Sequence, residues 1–495
     1  MSKLKTISKI VAENSSFLWL IFGAILSLFV NGRWIFPAAA WLAPIFLMHF
    51  SRTQKPFRGF LFVLLLLSPV NIVAWKGAIP LQGVPYYAMM VMGAMFTAII
   101  YLIDRLTYKH VNGFLSTLIF PSVSVAFEYL HVITSPYGTN GSLAITQTNL
   151  PMLQIVSITG IWGVLFLISW FAPFINWIWK KPFDILQIRT GFLIFTSIYI
   201  SIFLFGSLRI LLFTPQSETT RIASVTSALP DADIPPAKEQ WENFRAASAE
   251  KQSDILYLSR KAACAGAQII IWHEGEVFIL KEDEKLFVDK GCELAKNENV
   301  FLGMALATFT LEFPKELAEN KIVWIDTTGT ILFEYIKAIP TPTEKCIAGD
   351  GKVKLLNLPK SKIASTICFD LDFPSYISKF GKVGVDIMIS PANDWDAISR
   401  IHPIQTSFRA LEQGFSLVRP NTSTGLSVAY DYQGRLLASL DYAKTSQRIL
   451  IADVPTKGVN TIYSTVGDLF AWLCVIGTLF LIVWALLKRK RSPEQ

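Results

Sequence analysis

The chain has 495 residues and a formal net charge of +8, and 52% of its residues are hydrophobic whereas only 17% are charged. Its mean hydropathy of +0.43 excludes a single soluble domain of this length, so part of the chain must face lipid. The basic excess lies largely in short loops between apolar segments and in the C-terminal tail. This distribution argues against a nucleic-acid partner.

Eight apolar segments are predicted membrane spans, because a transmembrane helix needs about 20 largely apolar residues. They lie near residues 14–31, 34–50, 59–75, 85–103, 113–131, 152–179, 190–213 and 467–487. Residues 214–466 have the composition of an ordinary globular domain. We therefore predict a bundle of about seven spans over 1–213, a globular domain over 214–466, and a last span with a basic tail over 467–495.

Lysine and arginine residues alternate between loops and predict the orientation of the spans. The basic groups are Lys3, Lys5, Lys9, Arg52, Lys55, Arg58, Arg105, Lys109, Lys180, Lys181, Arg189, Lys488, Arg489, Lys490 and Arg491. The opposite loops contain little beyond Arg33 and Lys76. Both termini are thus predicted to be cytoplasmic and residues 214–466 extracytoplasmic. Because no convincing cleavage site follows the first span, we expect a retained signal anchor.

Strand and helix patterns alternate through 214–466, which predicts an α/β domain. The predicted strands are 221–225, 269–272, 300–304, 321–326, 330–335, 362–367 and 385–389, and the predicted helices lie near 239–265, 281–297 and 404–413. Residues 327–329 and 431–434 are predicted hairpin turns. Apolar loops are expected around Ile279-Leu280 and from Phe309 to Leu317, where lipid would approach the domain from the side.

Three reactive side chains each follow a predicted strand. Glu274 follows 269–272, Lys337 follows 330–335, and Cys368 follows 362–367. Strand ends that converge on one edge of a sheet are where α/β active sites lie. A sharp turn after Cys368 would lift the sulfur out of the sheet, and backbone N–H groups of the next element could hold an oxyanion, as in a nucleophile elbow. Acyl transfer through a thioester needs a thiolate, a base and a positive group, which Cys368, Glu274 and Lys337 would supply in turn.

Each of these residues also has a simpler interpretation. A cysteine after an apolar strand is more often a buried core thiol, and Lys337 alone would be an ordinary surface lysine. Glu276 lies two residues after Glu274, and we expect one of the two to be a solvated loop acid. Glu274 is favoured as the base because it directly follows Trp272-His273.

Two further polar residues have both a functional and a structural interpretation. The five histidines, His273 among them, show no ligand spacing such as HExxH. We therefore expect no metal or other cofactor and a structural role for His273. Glu128 lies inside a predicted span, where a charge is costly, so it is either a functional residue or part of a polar pair between helices.

Three motifs resemble, in order, the glutamate, lysine and cysteine motifs of the nitrilase superfamily of carbon-nitrogen hydrolases. They are Trp272-His273-Glu274, Tyr335-Ile336-Lys337 and Ile367-Cys368-Phe369-Asp370. Together with the spans, they make nearly the whole chain similar to the apolipoprotein N-acyltransferase family of bacteria. This resemblance implies an αββα sandwich for the outer domain, no cofactor, and a monomer in the bacterial inner membrane.

The resemblance also implies a reaction. A phospholipid would acylate Cys368, and the amine of a diacylglyceryl-cysteine at a lipoprotein N-terminus would then accept the chain. Glu344 matches the second carboxylate of the family, which orients the lysine or assists proton transfer. Asp370 would lie near the nucleophile and shape the elbow or the site of the acceptor amine.

The chain departs from the family pattern at several positions beside the motifs. His273 stands where the family usually has proline, and Phe369-Asp370 stands where it usually has Tyr-Glu. Two alternatives therefore remain: a membrane-tethered amidohydrolase, and a catalytically degenerate scaffold that binds lipoproteins. The three intact reactive residues argue against the scaffold, and the multi-span bundle argues against a plain hydrolase.

Overall fold

A computed structural model describes residues 16–179, 185–234 and 241–491. The chain forms two compact units, which we describe separately. The first contains Met1–Ser135, Asn140–Leu211 and Val466–Gln495, and the second contains Pro136–Thr139 and Leu212–Thr465. Several predicted features lie outside the described residues, namely the basic groups Lys3, Lys5, Lys9, Lys180 and Lys181 and the start of the helix near 239.

The described part of the first unit is helical. Its helices are α1 (Ser16–Ser27), α2 (Pro37–Thr53), α3 (Pro56–Ala74), α4 (Gly83–Thr107), α5 (Ile119–Thr134), α6 (Leu150–Leu153), α7 (Val156–Thr159), α8 (Ile161–Trp179), α9 (Ile185–Leu212) and, from the C-terminal part of the chain, α15 (Leu469–Arg491). Among the described residues, six helices are long and apolar enough to cross a membrane: Pro56–Ala74, Gly83–Thr107, Gly113–Thr134, Ile161–Trp179, Ile188–Leu212 and Leu469–Lys488.

Two of the eight predicted spans are not among these six helices of the described residues. The segments near 14–31 and 34–50 contain α1 and α2, and α2 has 17 residues. The segment near 152–179 is also shorter than predicted, because Gly160 adopts a φ of 65° and separates α7 from α8. A positive φ ends a right-handed helix, and glycine adopts it without a steric cost.

Glu128 in α5 has a polar partner within the first unit. The Ser142 hydroxyl donates to its carboxylate, and the backbone of Leu143 provides a further hydrogen bond. Both groups come from the chain segment that follows α5. Glu128 is therefore paired with polar groups, as its structural interpretation from the sequence expected, and is not an unpaired charge in lipid.

The second unit contains two β-sheets in its described part. The first sheet has seven strands in the order β13-β1-β2-β4-β5-β6, with β3 also paired to β4. These strands are β1 (Thr219–Val225), β2 (Ile269–Trp272), β3 (Val277–Leu280), β4 (Phe301–Phe309), β5 (Glu319–Ile325), β6 (Ile331–Ile336) and β13 (Ile449–Pro455). The second sheet has six strands in the order β12-β11-β10-β9-β8-β7. They are β7 (Leu355–Leu358), β8 (Ser361–Ser365), β9 (Ile387–Ile389), β10 (Ser416–Arg419), β11 (Leu426–Tyr430) and β12 (Leu436–Asp441).

The layers of this unit run helix, sheet, sheet, helix. Helices α10 (Trp241–Cys264) and α11 (Lys281–Glu298) contact the first sheet, and α13 (His402–Gln413) contacts the second, beside α12 (Pro374–Lys382). Alternation along a strand explains the layers: Ile387 and Ile389 belong to the core that contains both sheets, whereas Met388 packs in the cluster with α12 and α13. The short helix α14 (Ile462–Val466) lies near the C-terminal end of the second unit.

The predicted α/β class of this domain is confirmed, whereas one predicted lipid-contacting loop is wrong. Ile279 and Leu280 lie in β3 and are each 1% exposed. They are buried because β3 pairs in parallel with the second half of β4 and extends the sheet. Leu311 and Leu317, in the other predicted loop, are exposed.

Candidate active site

The backbone at Cys368 forms a strained turn shortly after the end of β8. Cys368 has a φ of 44°, a value that non-glycine residues adopt rarely and at a cost. Its N–H donates to the Pro391 carbonyl at 2.8 Å, and a 3₁₀ helix, Cys368–Asp372, begins at this residue. A reactive residue held in an unfavourable conformation between a strand and a helix has the geometry of a nucleophile elbow.

The side chains of Glu274 and Lys337 meet at this elbow. Lys337 Nζ donates to Glu274 Oε1 at 2.8 Å, and the charges of both groups act on the Cys368 thiol. Glu274 also accepts hydrogen bonds from Asn320 Nδ2 at 2.7 Å and from the Asn393 N–H at 2.8 Å. The three residues that the sequence placed at strand ends are therefore brought together, and all three are buried.

The charges around the sulfur set the protonation of the site. Burial raises the pKa of Cys368 well above its usual value, and the carboxylates of Glu274 and Asp394 add to this effect. Burial alone would also raise the pKa of Glu274, but the charge and hydrogen bond of Lys337 outweigh it and hold that pKa below its usual value. The resting site therefore pairs a neutral thiol with a carboxylate.

Glu344 holds the lysine from the other side. Lys337 Nζ donates to both Glu344 oxygens, at 2.7 and 2.8 Å, and the Thr341 N–H donates to Glu344 Oε2 at 2.6 Å. Burial alone would lower the pKa of Lys337, but the surrounding negative groups, Glu274 first, raise it well above its usual value. Lys337 thus stays protonated and supplies a positive charge, and it does not act as an acid in the reaction.

Asp370 accepts hydrogen bonds from groups on both sides of the elbow. Its carboxylate accepts hydrogen bonds from the Ile367 N–H at 2.9 Å, the Tyr335 hydroxyl at 2.7 Å and the Ile339 N–H at 2.8 Å. Burial raises the pKa of Asp370 to about 6 although these hydrogen bonds lower it. Asp370 therefore connects the residue before Cys368 to the segment that follows Lys337.

A second group of buried charges, which the sequence reasoning missed, borders the sulfur. Arg419 Nη2 and Asp394 Oδ1 each lie 3.8 Å from Cys368 Sγ, and His402 Nδ1 lies 2.8 Å from Asp394 Oδ1. Asp394 follows β9 and Arg419 ends β10. The strand that Arg419 ends was not predicted, and Asp394 lies several residues beyond the predicted strand 385–389, so neither residue directly follows a predicted strand.

Cys368, Asp394 and His402 also form a group whose potential ligand atoms all lie within 4.8 Å of one another. Arg419 Nη2 lies among them, 2.9 Å from both Asp394 Oδ1 and His402 Nδ1. A guanidinium at this position already neutralises the carboxylate and would repel a metal cation. The donor set therefore fits an ion-pair network rather than a metal centre.

The expectation of a solvated acid next to Glu274 is wrong. Glu276 is fully buried, since its carboxylate contacts His273 Nδ1 and accepts a hydrogen bond from the Ser227 N–H at 3.1 Å. Lys251 Nζ lies 3.7 Å from the same carboxylate. A buried acid needs such partners, and these contacts tie the turn after β2 to the end of β1.

The sequence model of the carbon-nitrogen hydrolase family matches residues 221–463, the part of the chain that contains this site. These residues form a carbon-nitrogen hydrolase domain. The resemblance that its three motifs predicted is thus confirmed, and the residues that match span both sheets.

Relatives over most of the chain are more specific. Apolipoprotein N-acyltransferase of Geobacter metallireducens is 24% identical, covering 81% of this chain and 79% of the relative. Apolipoprotein N-acyltransferase 1 of Treponema denticola is 25% identical and covers 79% of this chain and 82% of the relative. Apolipoprotein N-acyltransferase of Bradyrhizobium diazoefficiens is 27% identical and covers 83% of this chain and 80% of the relative. Among solved structures, an amidase from Nesterenkonia sp. is 18% identical over 49% of this chain and 92% of its own, with a TM-score of 0.41. The chain is thus a divergent member of the apolipoprotein N-acyltransferases.

Proposed function

We propose that this protein transfers an acyl chain from a phospholipid to the N-terminal amine of a diacylglyceryl-cysteine in lipoproteins, through a thioester on Cys368. The burial of Cys368 beside the Lys337–Glu274 ion pair, whose two charges act on the thiol, supports this proposal most directly. The names of relatives that cover about four fifths of the chain support the proposed substrates.

The first half-reaction forms the thioester. Glu274 takes the proton of the Cys368 thiol while the sulfur attacks the ester carbonyl of the phospholipid. Negative charge develops on the carbonyl oxygen, and Lys337 stabilises it. When the tetrahedral intermediate collapses, the C–O bond breaks and the leaving lysophospholipid oxygen takes the proton from Glu274.

The second half-reaction moves the acyl chain to nitrogen. The acceptor amine attacks the thioester carbonyl and passes a proton to Glu274. The C–S bond then breaks, and the departing sulfur recovers that proton. The products are an amide and the original thiol, so every proton that Glu274 accepts is returned.

The membrane arrangement is part of the same proposal. Residues 1–213 and 467–495 would supply eight spans, with α1 and α2 as the two short ones, and residues 214–466 would be extracytoplasmic in the bacterial inner membrane. The alternation of basic loops supports this orientation and cytoplasmic termini. Because Glu274, Lys337 and Cys368 come from one chain, a monomer suffices for catalysis.

Intact-mass spectrometry of the purified full-length protein tests the proposed reaction. The protein is incubated with phosphatidylethanolamine and then with a synthetic diacylated lipopeptide. We expect a mass gain of one acyl chain, which disappears as triacylated peptide forms. Cys368→Ala should abolish the gain, whereas Cys264→Ala, which removes an exposed thiol of the same unit, should retain it.

Two other results would refute the proposal. An adduct that decays to free fatty acid at the same rate with and without peptide would indicate a hydrolase. The absence of any adduct in a folded preparation that still binds the lipopeptide would indicate the scaffold.

A further inference from the structure

Arg419, which is outside the predicted triad, lies next to the Cys368 sulfur. Its Nη2 lies 3.8 Å from Cys368 Sγ and donates to the two oxygens of Asp394 at 2.9 and 3.1 Å. The Arg419 and Asp394 side chains are both fully buried. A guanidinium in such surroundings keeps its proton and cannot act as an acid or base.

The partners of Arg419 are themselves held in place. Asn421 Nδ2 donates to Asp394 Oδ2 at 2.8 Å, and the Asp394 N–H donates to Asn421 Oδ1 at 3.1 Å. His402 contacts Asp394 through Nδ1 and Asp372 through Nε2, at 2.8 and 3.1 Å. These contacts hold the Nη2 end of the guanidinium beside the sulfur.

The sulfur faces charges from several elements. Glu274 follows β2, Lys337 follows β6, Asp394 follows β9, Arg419 ends β10 and His402 begins α13. Glu274 and Asp394 both oppose a negative charge on the sulfur. Lys337 lies on the Glu274 side and donates to that residue, whereas Arg419 donates to Asp394. Each carboxylate near the thiol thus has its own cation.

We propose that Arg419 is a catalytic residue whose Nη2–H donates to the Cys368 sulfur whenever that sulfur carries negative charge, and that Asp394 and His402 position it. This inference rests on the proposed function. The proton still moves between sulfur and Glu274, and none moves to or from Arg419. Sulfur is negative both when it attacks the ester and when it leaves the acyl carbon, so Arg419 contributes to both half-reactions.

The pH dependence of Cys368 alkylation by iodoacetamide tests this role without any lipid. Full-length protein is alkylated across a pH series, and peptide mass spectrometry measures modification at Cys368 alone. Arg419→Met removes the cation and leaves Asp394 facing the sulfur, so the apparent pKa of alkylation should rise by about 1–2 units. Asp394→Asn removes the repelling carboxylate, so it should lower that pKa or leave it unchanged.

The opposite responses separate a catalytic role from a structural one. A residue that only maintains the fold would give the same response when either partner of its ion pair is removed. Arg409→Met is the matched control, because Arg409 forms a buried ion pair with Glu412 at 2.7 Å within α13. It should leave the apparent pKa of Cys368 at the wild-type value.

Two results would overturn the inference: an Arg419→Met protein with the wild-type alkylation profile, or an Asp394→Asn protein whose apparent pKa rises as much as that of Arg419→Met. If Arg419→Met does not fold, Arg419→Lys replaces it. The lysine keeps the charge but loses the forked donor, so a smaller rise is expected, and an unchanged profile would be contrary to the inference. Because alkylation needs no acyl donor, failure of the lipid assay alone would refute the proposed function and leave this measurement intact.

Discussion

Replacement of Asn320 by leucine should weaken Glu274 as a carboxylate. Asn320 Nδ2 is one of the donors to Glu274 Oε1, at 2.7 Å, and both residues are buried. A hydrogen bond to a charged group contributes about 1.5–3 kcal/mol, and one pKa unit corresponds to about 1.4 kcal/mol. The substitution should therefore raise the pKa of Glu274 by about 1–2 units.

The direction of the effect on rate follows from the mechanism. Formation of the thioester requires ionised Glu274, so the acidic limb of the pH–rate profile should move to higher pH by the same 1–2 units. The assay is single-turnover formation of the acyl-enzyme, followed by intact mass at a series of pH values. Asn357→Leu is the control, because Asn357 is exposed on β7 and should leave the limb in place.

Stability provides a second readout of the same substitution. The folded-state pKa of Glu274 lies below its unfolded value of about 4.5, so its ionisation stabilises the wild type above that pH and the contribution is lost as pH falls. The leucine variant should unfold more easily at neutral pH and lose less additional stability on acidification. An acidic limb that coincides with that of the wild type, in a folded variant, would refute the assignment of Glu274 as the base.

Three further substitutions test other contacts of the site. Glu344→Gln should slow thioester formation about 10- to 100-fold by loosening Lys337, whereas Glu334→Gln, which changes a half-exposed acid on β6, should not. Gly138→Ala should lower the melting temperature more than Gly384→Ala: both glycines have positive φ, but a Cβ at 138 would lie 2.3 Å from the Asp372 carbonyl oxygen, and one at 384 would meet nothing within 4 Å. Equal losses would show that the close approach is relieved by movement. Burial alone would lower the pKa of His402, but Asp372 and Asp394 raise it from 6.5 to about 9. Its contribution to stability is therefore complete below pH 6.5 and lost as pH rises through about 9. His402→Gln should flatten the decline of melting temperature over that range, and an unchanged decline would contradict the charge state assigned to His402.

The sequence located the three proposed catalytic residues because each closely follows a run of strand-forming residues. Predicted strand 269–272 matches β2 at both ends, and the hairpin of β5 and β6 was predicted within two residues. A short apolar run followed by a polar residue is a local signal, so one sequence suffices to detect it. The conformation of Cys368 was likewise predicted from the abrupt change of pattern at that position.

The second group of charges had no comparable local signal. Asp394 and Arg419 become neighbours only because β9 and β10 pair in parallel, with Leu417 opposite Met388. The run 416–419 is four residues long and was not predicted as a strand. Asn320 was missed for a related reason: it lies at the start of β5, between charged residues, and reaches Glu274 only after β4 and β5 pair. Long-range pairing, unlike periodicity, cannot be derived from residue spacing.

The contacts around Cys368 also explain how a buried nucleophile avoids permanent ionisation. With its pKa raised by burial, the thiol keeps its proton at rest, and Glu274, held ionised by Lys337, remains ready to accept it. A permanent thiolate would attack any electrophile, including oxidants. Here full negative charge on sulfur arises only as a carbon–sulfur bond forms or breaks, when Lys337 stabilises the carbonyl oxygen and Arg419 the sulfur. The two cations thus act on two different atoms of one transition state, and for this reason one cannot replace the other.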